Sequence, residues 1–227
     1  MSKSMISLMS IADYVSLINA VFGFISIIFA YLGEIRFAFI FILLAIVADG
    51  LDGIIARKTR ESQMGEYLES MADMTSLCIA PAFFTYIIYE DQISCCLTKN
   101  IVLLGVLLIY LTLGIIRLAS FHQMKKKDFF IGLPASSSTI LIIVMAYFKI
   151  EILYITILIT IISFSMISNI KFPKPSFKIN IIAGVLILLT IILNKDFFGI
   201  GPIFLVFAIL VYTIIGPLYL LKSQKNV

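Results

Sequence analysis

An all-α, polytopic transmembrane helix bundle is the fold class this sequence predicts, on three observations. The 227 residues are 61% hydrophobic and only 13% charged, whereas a soluble domain covers its surface with about a quarter of its residues charged. The apolar residues come in long runs, and a run of about 20 crosses the hydrocarbon core as a helix. The remaining charges gather in short clusters between the runs. A soluble fold is excluded, and a net charge of only +4 gives no reason to expect a nucleic-acid partner. Cys78, Cys95 and Cys96 have neither metal-site spacing nor the pattern of a disulfide framework.

About eight spans are expected. The first, 13–32, lacks a small-residue cleavage site and reads as a retained helix, not a signal peptide. A loop carrying Arg57, Lys58 and Arg60 joins the second, 35–57, to the third, 66–89. The fourth covers 100–122, and the fifth, 135–149, is the shortest. A tight turn around Lys149 and Glu151 leads into the sixth, 151–170, which ends before the two prolines of "KFPKPSFK". The seventh and eighth, 178–194 and 199–221, read as lipid-facing or oligomerising helices. Residues 1–227 thus form one integral membrane domain, with the distinctive residues in about 1–170 and two added helices over 178–221.

Eight spans put both termini on one side of the membrane. Twelve basic residues then fall on that side, from Lys3 through the 57–60, 125–127 and 171–178 clusters to Lys222 and Lys225. Arg36, Lys99, Lys149 and Lys195 fall on the other, and Arg117 lies inside a span. Such asymmetry in short loops marks the cytoplasmic face. Both termini are therefore expected in the cytoplasm of a cell-membrane protein, with a basic surface suited to anionic membrane lipid.

Against this background Asp49, Asp52, Glu69 and Asp73 stand out. An intramembrane carboxylate costs about 2.5–3.5 kcal/mol on insertion scales and calls for a partner and a function. On a helix, Asp49, Asp52 and Ala56 project within about 60° of one another, with Gly53 bordering that face. Glu69 and Asp73 stack at i, i+4 on the next helix, which a short loop makes antiparallel. Four converging carboxylates need cations or protons. All-oxygen ligands suit hard divalent ions, Mg²⁺ or Mn²⁺. Two such ions would leave positions for phosphate oxygens in an in-line displacement at phosphorus. A cation or proton pathway would also use paired intramembrane acids, and the charges alone leave it open.

The spacing reads Asp49-x-x-Asp52-Gly53-x-x-Ala56-Arg57, then Gly65-x-x-x-Glu69-x-x-x-Asp73. This resembles the signature of the CDP-alcohol phosphatidyltransferase family. The resemblance implies a membrane enzyme with a six-helix core, working as a homodimer. It would join a CDP-linked lipid to an alcohol and release CMP, with two divalent cations on Asp49, Asp52, Glu69 and Asp73. Asp73 would also take the proton of the attacking hydroxyl. Two departures stand in the motif: Glu69 occupies a position where the family has Asp, and the seven residues between Arg57 and Gly65 are one fewer than usual. Upstream, "ADYVSLINAVFG" resembles the family's P-N-x-x-T entry motif, with Ala12, Asp13 and Ser16 in place of Pro, Asn and Thr. By that resemblance Asp13, Ser16 and Asn19, with Asp52, Gly53, Ala56, Arg57, Lys58 and Gly65, would bind the CDP-lipid. Interhelical hydrogen bonding is the plainer role for the first three.

"RLASFHQMKKKDFFIGLPASSS", residues 117–138, is similar to the R-L-A-x-F and F-x-G-L-P segment of phosphatidylserine synthases. It implies L-serine as acceptor, with Arg117, Phe130, Gly132, Pro134 and Ser136 around it. A lone guanidinium in a span needs an anion: the serine carboxylate would match it bidentately, and an acid of the cluster is the alternative. Ser136, Ser137 and Ser138 are placed to cap the fifth span. The donor would be CDP-diacylglycerol or, given the abundance of isoleucine, CDP-archaeol. Within the family, glycerol 3-phosphate or inositol phosphate are rival acceptors. Their phosphates call for more arginines than Arg117, the single one that follows the signature.

Overall fold

The computed structural model describes residues 6, 9–56, 62, 64–94, 96–121, 129–193 and 200–225. They fold into helices α1 (Ile11–Tyr31), α2 (Ile35–Ala56), α3 (Gly65–Asp73), α4 (Ala80–Ile88), α5 (Glu90–Ile93), α6 (Leu97–Phe121), α7 (Ala135–Tyr147), α8 (Ile152–Met166), α9 (Phe177–Ile192) and α10 (Ile200–Lys225). A π-helical segment, Met74–Ile79, links α3 to α4, and β1 (Phe129–Ile131) pairs antiparallel with β2 (Lys171–Pro173). All eight expected runs are helical. Five, Ile11–Tyr31, Ile35–Ala56, Gly65–Ile88, Leu97–Ser120 and Ile200–Leu220, are long and apolar enough to cross a membrane. Ala135–Tyr147, Ile152–Met166 and Ile179–Ile192 are shorter apolar helices.

The chain divides into two compact units, Met1–Phe84 and Thr85–Val227, with the division inside α4. In the first, α1 starts two residues earlier than expected because Ser10 and Asp13 form a capping box: Ser10 Oγ accepts from the Asp13 amide, and Asp13 Oδ2 accepts from the Ser10 amide at 2.7 Å. The buried stripe of α1 is small and polar, Ala12, Asp13, Ser16, Asn19, Gly23, Ser26 and Ala30, recurring every three or four residues. Its exposed positions are Tyr14, Leu17, Ile18, Val21, Phe24 and Ile28. A helix in lipid gains nothing by hiding leucine, so it turns small residues inward, where backbones approach and polar groups find partners. Ser26 donates to the Ala38 carbonyl of α2 at 2.9 Å, and the Phe29 and Phe41 rings stack at 5.4 Å.

The α3 and π parts of the interrupted helix α3–π–α4 pack on α1, and the π segment also touches α2. Gly23 of α1 meets the π segment so closely that a Cβ there would lie 2.7 Å from Ser76 Cα. At the end of the π segment the Ala80 amide reaches back five residues to Thr75. A run read from sequence as one regular span therefore changes register immediately after Asp73.

In the second unit α6 and α7 pack on α8, and α10 packs on α7, α9 and β2. The tight turn after α7 is realised with Lys149 at φ 50°, and Tyr89 donates to the Ile150 carbonyl. Gly132, at φ 76°, leads β1 into α7. Its amide donates to the Ile170 carbonyl at 2.8 Å, and a Cβ there would sit 2.2 Å from the Met166 carbonyl oxygen. Only glycine accepts both that backbone angle and that contact.

Candidate active site

Two helices of the first unit supply the acidic cluster. The C-terminal part of α2 carries Asp49 and Asp52, and α3 carries Glu69 and Asp73. Asp52 and Asp73 are buried, while Asp49 and Glu69 are half-buried. The four side chains are close enough to repel one another, and the Asp49 and Asp73 carboxyls stand within hydrogen-bonding reach. Among the described residues, no arginine or lysine is among the neighbours acting on Asp49, Asp52 or Asp73.

The polar stripe of α1 meets this cluster. Ser16 Oγ donates to Asp52 Oδ2 at 2.6 Å, with the Ala12 carbonyl as a second acceptor at 3.3 Å. Asn19 Nδ2 donates to Asp73 Oδ1 at 2.9 Å. Bonds of a neutral donor to a carboxylate are short and directional, so α1 sets the orientation of one acid on each partner helix. Asp13 turns one oxygen to its own helix cap, and the other would lie 3.2 Å from a Cβ at Gly65. Gly65 thereby lets the start of α3 close against α1.

The sequence-derived CDP-lipid residues therefore fall into three groups. Asp13, Ser16, Asn19 and Gly65 make contacts within the first unit. No described residue lies within 4 Å of where a Cβ on Gly53 would stand, and Ala56 is exposed, which leaves room beside Asp52 among the described residues. Arg57 and Lys58 lie outside the described residues, as do His122 and Lys125–Lys127.

The residues expected around serine belong to the second unit. Arg117 is buried on α6, next to the Tyr212 hydroxyl of α10. Tyr212 donates to the Pro173 carbonyl at 3.1 Å and sets its ring 6.1 Å from Phe172. The Lys174 ammonium lies 5.1 Å from the Phe130 ring centre. One expectation fails: the serines do not cap α7. Pro134 is the N-cap and no side chain caps the helix. Starting at Ala135 places all three serines within the first turn, where Ser138 donates back to the Pro134 carbonyl at 3.0 Å. Ser136 remains half-buried.

Sequence reasoning overlooked Tyr212 by treating α10 as featureless. The available signal was a tyrosine with Gly216 four residues on, a polar–small pair on one face of an apolar helix. Gly216 lies against Pro173, with a Cβ only 2.9 Å from the ring.

Among the described residues, no group of three or more His, Cys, Asp or Glu side chains is yet closed around one point as a metal site. The chemistry of the donors nevertheless suits hard divalent ions. Two carboxyls in contact cannot both be bare anions in a dry interior without a cation or proton between them. Asn19 adds a carbonyl oxygen, Oδ1, that is buried and has no hydrogen-bond partner among the described residues. Carboxylate and amide oxygens together are ligands that Mg²⁺, Mn²⁺ and Ca²⁺ accept.

Residues 9–162 match the family model for CDP-alcohol phosphatidyltransferases. The chain is similar to a CDP-diacylglycerol–serine O-phosphatidyltransferase of Methanocaldococcus jannaschii, 34% identical over 96% of this chain and 97% of the relative. It is also similar to an archaetidylserine synthase of Methanothermobacter thermautotrophicus, 31% identical over 76% of this chain and 73% of the relative. A CDP-diacylglycerol–serine O-phosphatidyltransferase of Saccharomyces cerevisiae is 32% identical over 63% of this chain and 56% of its own length.

Proposed function

The chain belongs to the CDP-alcohol phosphatidyltransferase family, and from that premise we propose that it transfers a phosphatidyl or archaetidyl group from a CDP-activated lipid to the hydroxyl of L-serine. The observation that carries the chemistry is the gathering of Asp49, Asp52, Glu69 and Asp73, with α1 holding one acid of each pair. Likeness to serine-using relatives along most of the chain supports the acceptor.

Asp49, Asp52, Glu69 and Asp73 would hold two divalent cations, Mg²⁺ or Mn²⁺. When bound, these supply charge neutralisation for the pyrophosphate and the departing CMP. Ser16 keeps Asp52 turned in one direction, and Asn19 does the same for Asp73. In the reaction the serine Oγ–P bond forms, the P–O bond to CMP breaks, and the hydroxyl proton passes to Asp73. The space beside Gly53 takes the nucleotide, with Arg57 and Lys58 at its phosphates. Arg117 pairs with the serine carboxylate, on the wall that Phe130, Gly132, Pro134 and Ser136 form. Both termini and the site face the cytoplasm, as the basic loops require, and the enzyme works as a homodimer in the cell membrane.

The test is CMP release by the purified full-length protein in detergent with CDP-diacylglycerol or CDP-archaeol. We expect release with L-serine in Mg²⁺ or Mn²⁺, none in EDTA, and recovery when the cation is restored. Faster release with glycerol 3-phosphate or inositol phosphate would overturn the acceptor. Full turnover in EDTA would overturn the role given to the acids.

A further inference from the structure

Asn19 was expected at the nucleotide, yet its amide is spent on Asp73, and the other end of that amide is the most telling polar atom in the first unit. Asn19 has no exposed surface. The atom 2.9 Å from Asp73 Oδ1 is Nδ2, the NH₂ end, which is the orientation that an ionised, cation-holding carboxylate calls for. The remaining end is a carbonyl oxygen, and it is buried without a hydrogen-bond partner among the described residues.

An acceptor left unsatisfied in a dry interior costs about 1–3 kcal/mol. The penalty is avoidable, since a leucine of the same shape would need no partner. What satisfies the oxygen must be a donor or a cation. The NH₂ end of the same amide holds Asp73, and the charged groups acting on Asp73 are Asp49, Glu69 and Asp52. Carboxylates add acceptors and no donors. Bond lengths alone keep the two ends of an amide within about 2.6 Å of each other, so the oxygen stays close to the carboxylate that its own NH₂ holds. A cation held by Asp73 would lie within its reach.

We propose that Asn19 Oδ1 is a neutral oxygen ligand of the divalent cation held by Asp73, so that one amide both orients an acid and completes its metal's coordination. The inference rests on the metal-dependent reading above and adds to it a ligand from α1, outside the signature helices. A neutral oxygen suits a site already crowded with negative charge. It supplies a coordination position with no further repulsion.

The test is direct metal binding by the purified full chain, read by Mn²⁺ electron paramagnetic resonance and independent of turnover. Asn19→Ala should weaken Mn²⁺ binding by about tenfold or more, with Asn19→Leu standing in if the smaller residue does not fold. Asn19→Asp separates ligation from orientation. It loses the NH₂ that holds Asp73 but keeps the oxygen, so a ligand role predicts Mn²⁺ affinity at or above that of the unaltered protein. Affinity as weak as that of Asn19→Ala would overturn the proposal and leave Asn19 as a positioning residue only. Asn19→Cys gives a second readout, because a thiolate prefers soft ions. Its Cd²⁺-to-Mn²⁺ affinity ratio should rise at least tenfold over that of Asn19→Ala, which carries the same native cysteines. An unchanged ratio would also overturn the assignment. If the unaltered protein bound no Mn²⁺ at all, the metal reading itself would fall, and that outcome is distinct from either result on the variants.

Discussion

Glu69 tests how far a single side chain can depart from a motif and still serve it. It stands where the family signature resembled here has Asp, and its carboxylate reaches one methylene further along α3. The structure keeps it within electrostatic range of Asp49, Asp52 and Asp73, so the longer arm still delivers its charge to the cluster. If Glu69 is a ligand, Glu69→Gln should lose most CMP release, because a neutral amide at that point weakens cation binding. Glu69→Asp should retain a measurable fraction. Turnover and Mn²⁺ affinity measured on both variants decide it, and unaltered turnover in Glu69→Gln would leave three acids as the working set. The gathering of the four acids was legible in the sequence, because carboxylates in an apolar chain call for partners. What was not legible is who holds them. Ser16 and Asn19 were read as nucleotide contacts or as interhelical hydrogen-bonding residues, and only tertiary structure names their partners, Asp52 and Asp73.

At the scale of elements, the eight helical runs could be read from hydropathy alone, since in lipid every backbone group must be satisfied within its own helix. The break after Asp73 could not. "ADMTSLCIAPAFF" has the composition of an ordinary span, and the wider register of Met74–Ile79 arises where α1 presses against it at Gly23. π segments of this kind often lie at functional sites, and this one begins at the residue after Asp73. Gly23→Ala should therefore act through α3. The added Cβ would stand 2.7 Å from the Ser76 backbone, and neither helix can yield by moving a flexible side chain. Overpacking of this sort costs about 1–3 kcal/mol, which should appear as a lower melting temperature in detergent. Mn²⁺ affinity should fall with it, because Asp73 immediately precedes the shifted segment. A variant as stable as the unaltered protein, with unchanged Mn²⁺ binding, would show that the close approach is incidental.

On the scale of the whole molecule, the residues proposed for the two kinds of recognition fall in different units. Every acid of the cluster lies within Met1–Phe84, whereas Arg117 and the F-x-G-L-P residues lie within Thr85–Val227. The family match ends at residue 162, yet α10 brings Tyr212 to Arg117 and ties the Pro173 carbonyl. The C-terminal helices are thus more than the lipid-facing additions that hydropathy suggested. This division predicts separable defects. Asp52→Asn should abolish Mn²⁺ binding and turnover while the protein still folds in detergent. Arg117→Lys keeps the charge but loses the planar fork. It should raise the apparent KM for serine by about tenfold or more, the equivalent of roughly 1.5–3 kcal/mol of charged hydrogen bonding, and leave Mn²⁺ affinity unchanged. Tyr212→Phe should move the serine KM in the same direction by a smaller factor, because it removes only the hydroxyl beside the guanidinium. Combining Arg117→Lys with Tyr212→Phe should then give less than the product of the two effects, as expected for residues acting through one contact. Titrating serine, CDP-lipid and Mn²⁺ against each variant separates the outcomes. Equal losses for serine and the CDP-lipid, or a fall in kcat alone, would make Arg117 a structural counter-ion, and acceptor choice would then rest with other residues of the second unit.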